Sequence, residues 1–188
     1  MKVVTVPNLI CLVRIALTFP IVVLLAEGRY GQTLVLFAIA AASDMLDGYL
    51  AKTFNWQSEV GKVLDPLADK LLLVSVFITL AVIGLVPAWL AAIAVLRDVV
   101  IGAGAGIYKW LFGPLEGRPT VPSKINTLVQ LVFVIVVVWN AAFHDLPEAA
   151  IQGLGALVLV TTAVSGIDYV LTYTRKAIAV SRARRGAA

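Results

Sequence analysis

Four aspartates between positions 44 and 69 stand at two spacings that can do chemistry together: Asp44 with Asp47, and Asp65 with Asp69. Residues three or four apart share one face of a helix, so each pair projects as a unit. If the two helices are neighbours, four carboxylates meet at one pocket. Unpaired, they would repel and be costly to desolvate, so protons or cations must compensate them. Divalent cations take hard oxygen ligands, and Mg²⁺ is usual where a substrate phosphate completes the shell; Mn²⁺ accepts the same donors. Gly48, Ala51 and Gly61 keep side chains off the wall beside the carboxylates, which lets backbone approach a flat or phosphorylated ligand. Lys52, one turn beyond Gly48, can offer its cation to a phosphate oxygen. Interfacial charge with a helix cap near Pro66 would account for one or two of these carboxylates. It does not account for four, with two glycines at this spacing.

The elements that must hold these residues are membrane helices. The chain has 188 residues, 61% hydrophobic and 14% charged, with a mean hydropathy of +0.97, against roughly 45–50% apolar content in ordinary soluble domains. Six apolar stretches are separated by Pro, Gly or polar breaks: Leu9 to Ala26, Gln32 to Ala51, Val63 to Leu85, Ala88 to Phe112, Val121 to Phe143, and Ala149 to Thr174. Each approaches the ~20 residues a spanning helix needs, and none alternates as a barrel strand would. The expected fold is therefore an all-α integral membrane protein, a bundle of six transmembrane helices forming one domain over residues 1–188. Lys2, Lys52, Lys62, Arg118, Lys124 and the basic tail fall on one side and mainly Arg29 on the other, which predicts cytoplasmic amino and carboxyl termini. Met1 to Pro7 leads directly into apolar sequence, so no cleavable signal is expected. Cys11 is the single cysteine; it reads as a small buried hydrophobe. The tail "TRKAIAVSRARRGAA" suits anionic lipid headgroups, and no nucleic-acid partner is expected.

The segment around the carboxylates resembles the signature of the CDP-alcohol phosphotransferase family, D-x-x-D-G-x-x-A-R-x(8)-G-x-x-x-D-x-x-x-D. It matches as Asp44, Asp47, Gly48, Ala51, Lys52, Gly61, Asp65 and Asp69, with Lys52 where the family usually has arginine. "VPNLICLVRIALTFP" is similar to the family's amino-terminal segment, with Asn8 and Arg14 in place. The resemblance implies a phosphatidyltransferase that moves the phosphatidyl group from CDP-diacylglycerol to an alcohol and releases CMP. It implies two divalent ions on Asp44, Asp47 and Asp65, with Asp69 within ligand reach and acting as general base. Gly48, Ala51, Lys52 and Gly61 would hold the cytidine diphosphate portion. A homodimer is implied as well, in a bacterial inner membrane with the site at its cytoplasmic face.

The acceptor is read from three further stretches. "LDPLADK" resembles the glycerophosphate and cardiolipin branches; "LRDVVIG" and "PSKINTLVQL" resemble the mitochondrial-type cardiolipin synthases, whose acceptor is phosphatidylglycerol. Phosphatidylglycerophosphate synthases tend to carry Gly-Lys-x-Lys-Thr in the fifth span, and here Asn126 replaces the second lysine. A dianionic glycerol phosphate wants several cations, a diester fewer. Arg97, Arg118 and Lys124 are the acceptor-binding candidates, with glycerol 3-phosphate as the alternative acceptor. Arg97 could instead pair with Asp98, and Asp168 with Arg14 or Arg97. His144 should be solvated in an outer loop, and Trp89, Trp110 and Trp139 should anchor span ends. A cation transporter is the alternative from another class, since intramembrane carboxylates also mark ion paths. Carboxylates crowded at one interface favour the enzyme.

Overall fold

A computed structural model describes residues 6–53, 61–112 and 120–186, with side chains at 11–43, 68–106 and 120–175. Six helices appear among the described residues: α1 Val6–Ala26, α2 Tyr30–Thr53, α3 Gly61–Val82, α4 Ala88–Phe112, α5 Val121–Phe143 and α6 Glu148–Gly186. The bounds of α4 and α5 are those read from the sequence. Among the described residues three stretches are long and apolar enough to cross a membrane, Ala88–Gly106, Val121–Phe143 and Glu148–Arg175, and Cys11–Ala26 and Tyr30–Ser43 are shorter apolar helices. The sixth helix overruns its apolar stretch. At 39 residues and ~1.5 Å per residue it is about 58 Å long, against a hydrocarbon core of ~30 Å. Its basic end, rich in Arg, Lys and Ala, has the composition of a helix former.

The breaks have identifiable causes. At the end of α1, Gly28 takes φ 75°; its N–H donates to the Leu25 carbonyl and the Arg29 N–H to the Leu24 carbonyl. At the end of α3, Gly84 takes φ 78°; its N–H donates to Ala81 and the Leu85 N–H to Leu80. Both are Schellman closures, which need a left-handed residue and so favour glycine. α5 closes on His144, a non-glycine at φ 57°, whose N–H donates to the Asn140 carbonyl at 2.8 Å. His144 is exposed, as expected.

The chain divides into two compact units, Met1–Ala88 with Val134–Leu146, and Trp89–Phe133 with Pro147–Ala188. In the first, α1 packs against both α2 and α3. Its core is mostly apolar: Cys11, Ile21, Leu25, Phe37, Val76, Phe77, Leu80 and Val138 are buried, and Arg14 is buried among them. A void of about 10 Å³ between Phe37, Val76 and Val134 is at most the size of one water.

The second unit is held differently. Leu90 and Phe133 lie at the Gly155 position of α6, Arg97 bonds Ser123 and Ser165, and the Tyr169 hydroxyl donates to the Ile101 carbonyl at 2.9 Å. These contacts pair rising numbers on α4 with rising numbers on α6, so the two run parallel. Phe133 beside Gly155 and Asn126 bonded to Thr162 run α5 antiparallel to α6. The closest approach is at Gly104, where a Cβ would stand 3.1 Å from Tyr169 Cε1. Tyr169 is pinned by its hydroxyl bond and stacks on Tyr173 at 4.1 Å, so it has little freedom to retreat. Gly104→Leu is expected to destabilise the protein by about 2 kcal/mol through overpacking, read as a lowered thermal unfolding midpoint.

Around both units large apolar side chains face outward, among them Phe19, Val82, Leu96, Val121 and Ile167. Water would penalise such a surface; lipid does not.

Candidate active site

α2 and α3 carry the signature positions. Asp44 and Asp47 lie in the second half of α2, and Asp65 and Asp69 in the first turns of α3. The side chains of Asp44, Asp47, Gly48, Ala51, Lys52, Gly61 and Asp65, and Arg118 altogether, lie outside the described residues. Asp69 is described. Its Oδ1 accepts from Arg14 Nη1 at 2.5 Å, and the two side chains are 49% and 1% exposed respectively. The docking of α1 against α3 puts a buried guanidinium beneath a carboxylate that still opens to its surroundings.

That carboxylate fits a divalent ion by donor type, since oxygen is what hard cations take. No group of three or more His, Cys, Asp and Glu gathers among the described residues, the side chains of three of the four signature aspartates not being among those described.

In the second unit Arg97 is buried. Its Nη1 donates to Asp98 Oδ1 at 2.6 Å and its Nη2 to Ser123 Oγ at 2.8 Å and to Ser165 Oγ. Its stem passes Gly166, where a Cβ would be 3.9 Å from Cγ. One residue thus ties α4, α5 and α6. Lys124, at the start of α5, is exposed.

One sequence expectation needs correcting. Asp168 does not pair with Arg97, which bonds Asp98 instead, while Arg14 bonds Asp69. Asp168 Oδ2 is buried without a hydrogen-bond partner. Both arginines meet a carboxylate reachable without Asp168, one on the helix packed against α1 and one on the next residue.

A larger cavity of about 520 Å³ lies in the first unit among Gly28, Arg29, Tyr30, Gln32, Ala141 and Phe143. It sits at the α1–α2 turn, the other end of α2 from Asp44 and Asp47. Arg29 there already bonds Glu27 at 3.3 Å, both about half exposed, so this opening holds none of the predicted site residues.

Sequence reasoning missed the Arg14–Asp69 bond and the roles of Ser123 and Gln130 on α5 and of Thr161, Thr162 and Ser165 on α6. Their signal was present as polar residues within apolar spans.

Apolar helices exposing hydrophobic side chains, with the signature aspartate positions on α2 and α3, define a helical membrane protein. The family model of CDP-alcohol phosphatidyltransferases matches residues 4–182, and the chain belongs to that family. Similar proteins include the rat cardiolipin synthase (CMP-forming), 32% identical over 96% of this chain and 65% of its own length. A Drosophila melanogaster protein named probable cardiolipin synthase (CMP-forming) is 35% identical over 90% of this chain and 58% of its own. The chain therefore spans about three fifths of those relatives. The CDP-diacylglycerol–glycerol-3-phosphate 3-phosphatidyltransferase of Bacillus subtilis is 33% identical over 87% of this chain and 92% of its own length.

Proposed function

We propose that this protein is a divalent-metal-dependent phosphatidyltransferase that moves the phosphatidyl group of CDP-diacylglycerol to phosphatidylglycerol, forming cardiolipin and releasing CMP. The observation that carries this is the signature, Asp44 through Asp69, matched at every position but Lys52 and carried on α2 and α3 of a chain whose family match runs almost end to end. Six spans in one membrane domain with both termini cytoplasmic complete the reading, supported by the basic-residue distribution and the outward apolar surface; a homodimer and a bacterial inner membrane are proposed with it, without support from either.

Asp44, Asp47, Asp65 and Asp69 would hold two Mg²⁺ or Mn²⁺ ions. Bound there, the ions would neutralise the diphosphate and the developing charge on the departing CMP. The residues supply the rest. Gly48, Ala51, Lys52 and Gly61 seat the cytidine diphosphate. Asp69 takes the proton of the acceptor hydroxyl as its oxygen bonds to the lipid-bearing phosphorus, and the bond from that phosphorus to CMP breaks. Arg14 fixes the orientation of Asp69.

Arg97, Arg118 and Lys124 remain the acceptor-binding residues. The state of Arg97 supports the diester acceptor: its charge faces Asp98, and both terminal nitrogens are engaged within the protein. Such a cation has less to give a dianionic phosphomonoester. Glycerol 3-phosphate stays the alternative, supported by the similarity to the Bacillus subtilis transferase.

The test supplies purified protein and CDP-diacylglycerol with phosphatidylglycerol, glycerol 3-phosphate or inositol phosphate separately, and identifies the lipid by mass. Cardiolipin with stoichiometric CMP is expected, dependent on added divalent ion. Phosphatidylglycerophosphate would select the alternative acceptor. Cation flux in liposomes without CMP release would select a transporter.

A further inference from the structure

The second unit buries three side-chain N–H groups without hydrogen-bond partners: Arg97 Nε, Asn126 Nδ2 and Gln130 Nε2. Their residues are 6%, 0% and 1% exposed. Thr161 and Thr162 donate to Asn126 Oδ1 at 3.0 and 2.9 Å, which occupies one end of that amide only. Gln130 lies one turn further along α5. The antiparallel register sets it between the Asn126–Thr162 contact and the Phe133–Gly155 contact, level with the buried Val158.

Buried polar groups are nearly always paired, and an unmade bond costs more than a made one gains. In a membrane bundle a glutamine usually earns its place by bonding a neighbouring helix; the Nε2 of Gln130 bonds none. Three such groups on two adjoining helices, spaced along one seam from Ser123 inward, are arranged for a guest that brings oxygens. The seam's one formal positive charge, on Arg97, is already matched by Asp98 at 2.6 Å. Its guest is therefore neutral or carries little charge.

We propose that Arg97, Asn126 and Gln130 form a hydrogen-bonding site for the oxygens of a polyol or phosphodiester headgroup, and that Gln130 is a specificity-determining residue for a glycerol-headed lipid acceptor. This rests on the acceptor reading given above.

Gln130→Leu in the full chain tests it. Leucine replaces an unpaired buried amide by apolar atoms of similar volume, so the lipid-free variant should unfold at the same or a higher temperature than wild type. Phosphatidylglycerol should raise the unfolding temperature of wild type and raise that of the variant less. In CMP-release assays the half-saturating phosphatidylglycerol concentration should increase about tenfold, the equivalent of one hydrogen bond, with that for CDP-diacylglycerol unchanged. A lowered unfolding temperature with unchanged phosphatidylglycerol dependence would mean that Gln130 only bridges helices or waters, and the proposal falls. No thermal response of wild type to phosphatidylglycerol overturns it too, as does a larger penalty for glycerol 3-phosphate than for the diester. Gln130→Met, unbranched like glutamine, serves if leucine does not fold. Because the thermal readout needs no turnover, failure of the enzymatic reading and failure of this site are separable.

Discussion

Asp69→Asn should lower CMP release by about 10³-fold while leaving the protein folded and able to bind CDP-diacylglycerol. General-base catalysis contributes roughly 10²–10⁴-fold, and an amide cannot take the acceptor's proton. The substitution otherwise changes little. The side chain keeps its shape, and its oxygen can still accept from Arg14 Nη1, the bond seen at 2.5 Å. Half of Asp69 is exposed, so loss of its charge leaves no void. The measurement is single-turnover CMP release at saturating donor, with donor affinity determined separately in the presence of metal. Reduced turnover at unchanged donor affinity is expected. Normal turnover would remove Asp69 from its role, and lost donor binding would make it chiefly a metal ligand.

How much of this was legible in the sequence depends on what each feature needs. α4 and α5 begin and end where the sequence places them because Pro87 and Pro122 mark their starts and the apolar runs give way to Gly-, Pro- or charge-containing sequence. α6 was cut short at Thr174 because hydropathy reports where lipid ends, not where a helix does; the basic tail continues the helix to Gly186. The aspartate pairs were legible because spacing alone puts their positions on shared helix faces. The partner of Arg14 was not. Its bond spans 55 positions and depends on which face of α1 meets α3, and a helix that is apolar nearly all round does not declare that face. Asp168 was an available carboxylate by type, but pairing is decided by register, which the sequence leaves open. Asn126 was visible as a departure from a family pattern. That its amide is half unpaired, and that Gln130 repeats the condition one turn on, follows only from the antiparallel docking of α5 on α6.

The Arg14–Asp69 bond should be strongly asymmetric when cut from either end. Arg14 is 1% exposed and Asp69 49%, so the two charges pay different penalties when separated. Asp69→Leu leaves a buried guanidinium facing no carboxylate at that position, and should cost about 3 kcal/mol, the lower end for breaking a buried pair. Arg14→Leu leaves a carboxylate that can turn to its surroundings, and should cost about 1–2 kcal/mol, most of it in lost packing. The double variant should be no less stable than Asp69→Leu alone, giving a coupling of about 1–2 kcal/mol in a double-mutant cycle of unfolding free energies. Additive losses would mean the contact carries no stability. For turnover the order inverts in what it reveals. Arg14 touches no reacting atom, so Arg14→Leu should lower kcat about 10²-fold by letting Asp69 rotate off line, with the KM for donor unchanged. Arg14→Lys, a point charge without the planar fork, should recover part of that loss. A helix-stapling arginine with no bearing on catalysis would instead show kcat unchanged in Arg14→Leu at temperatures where the variant is folded, and lysine would rescue stability alone.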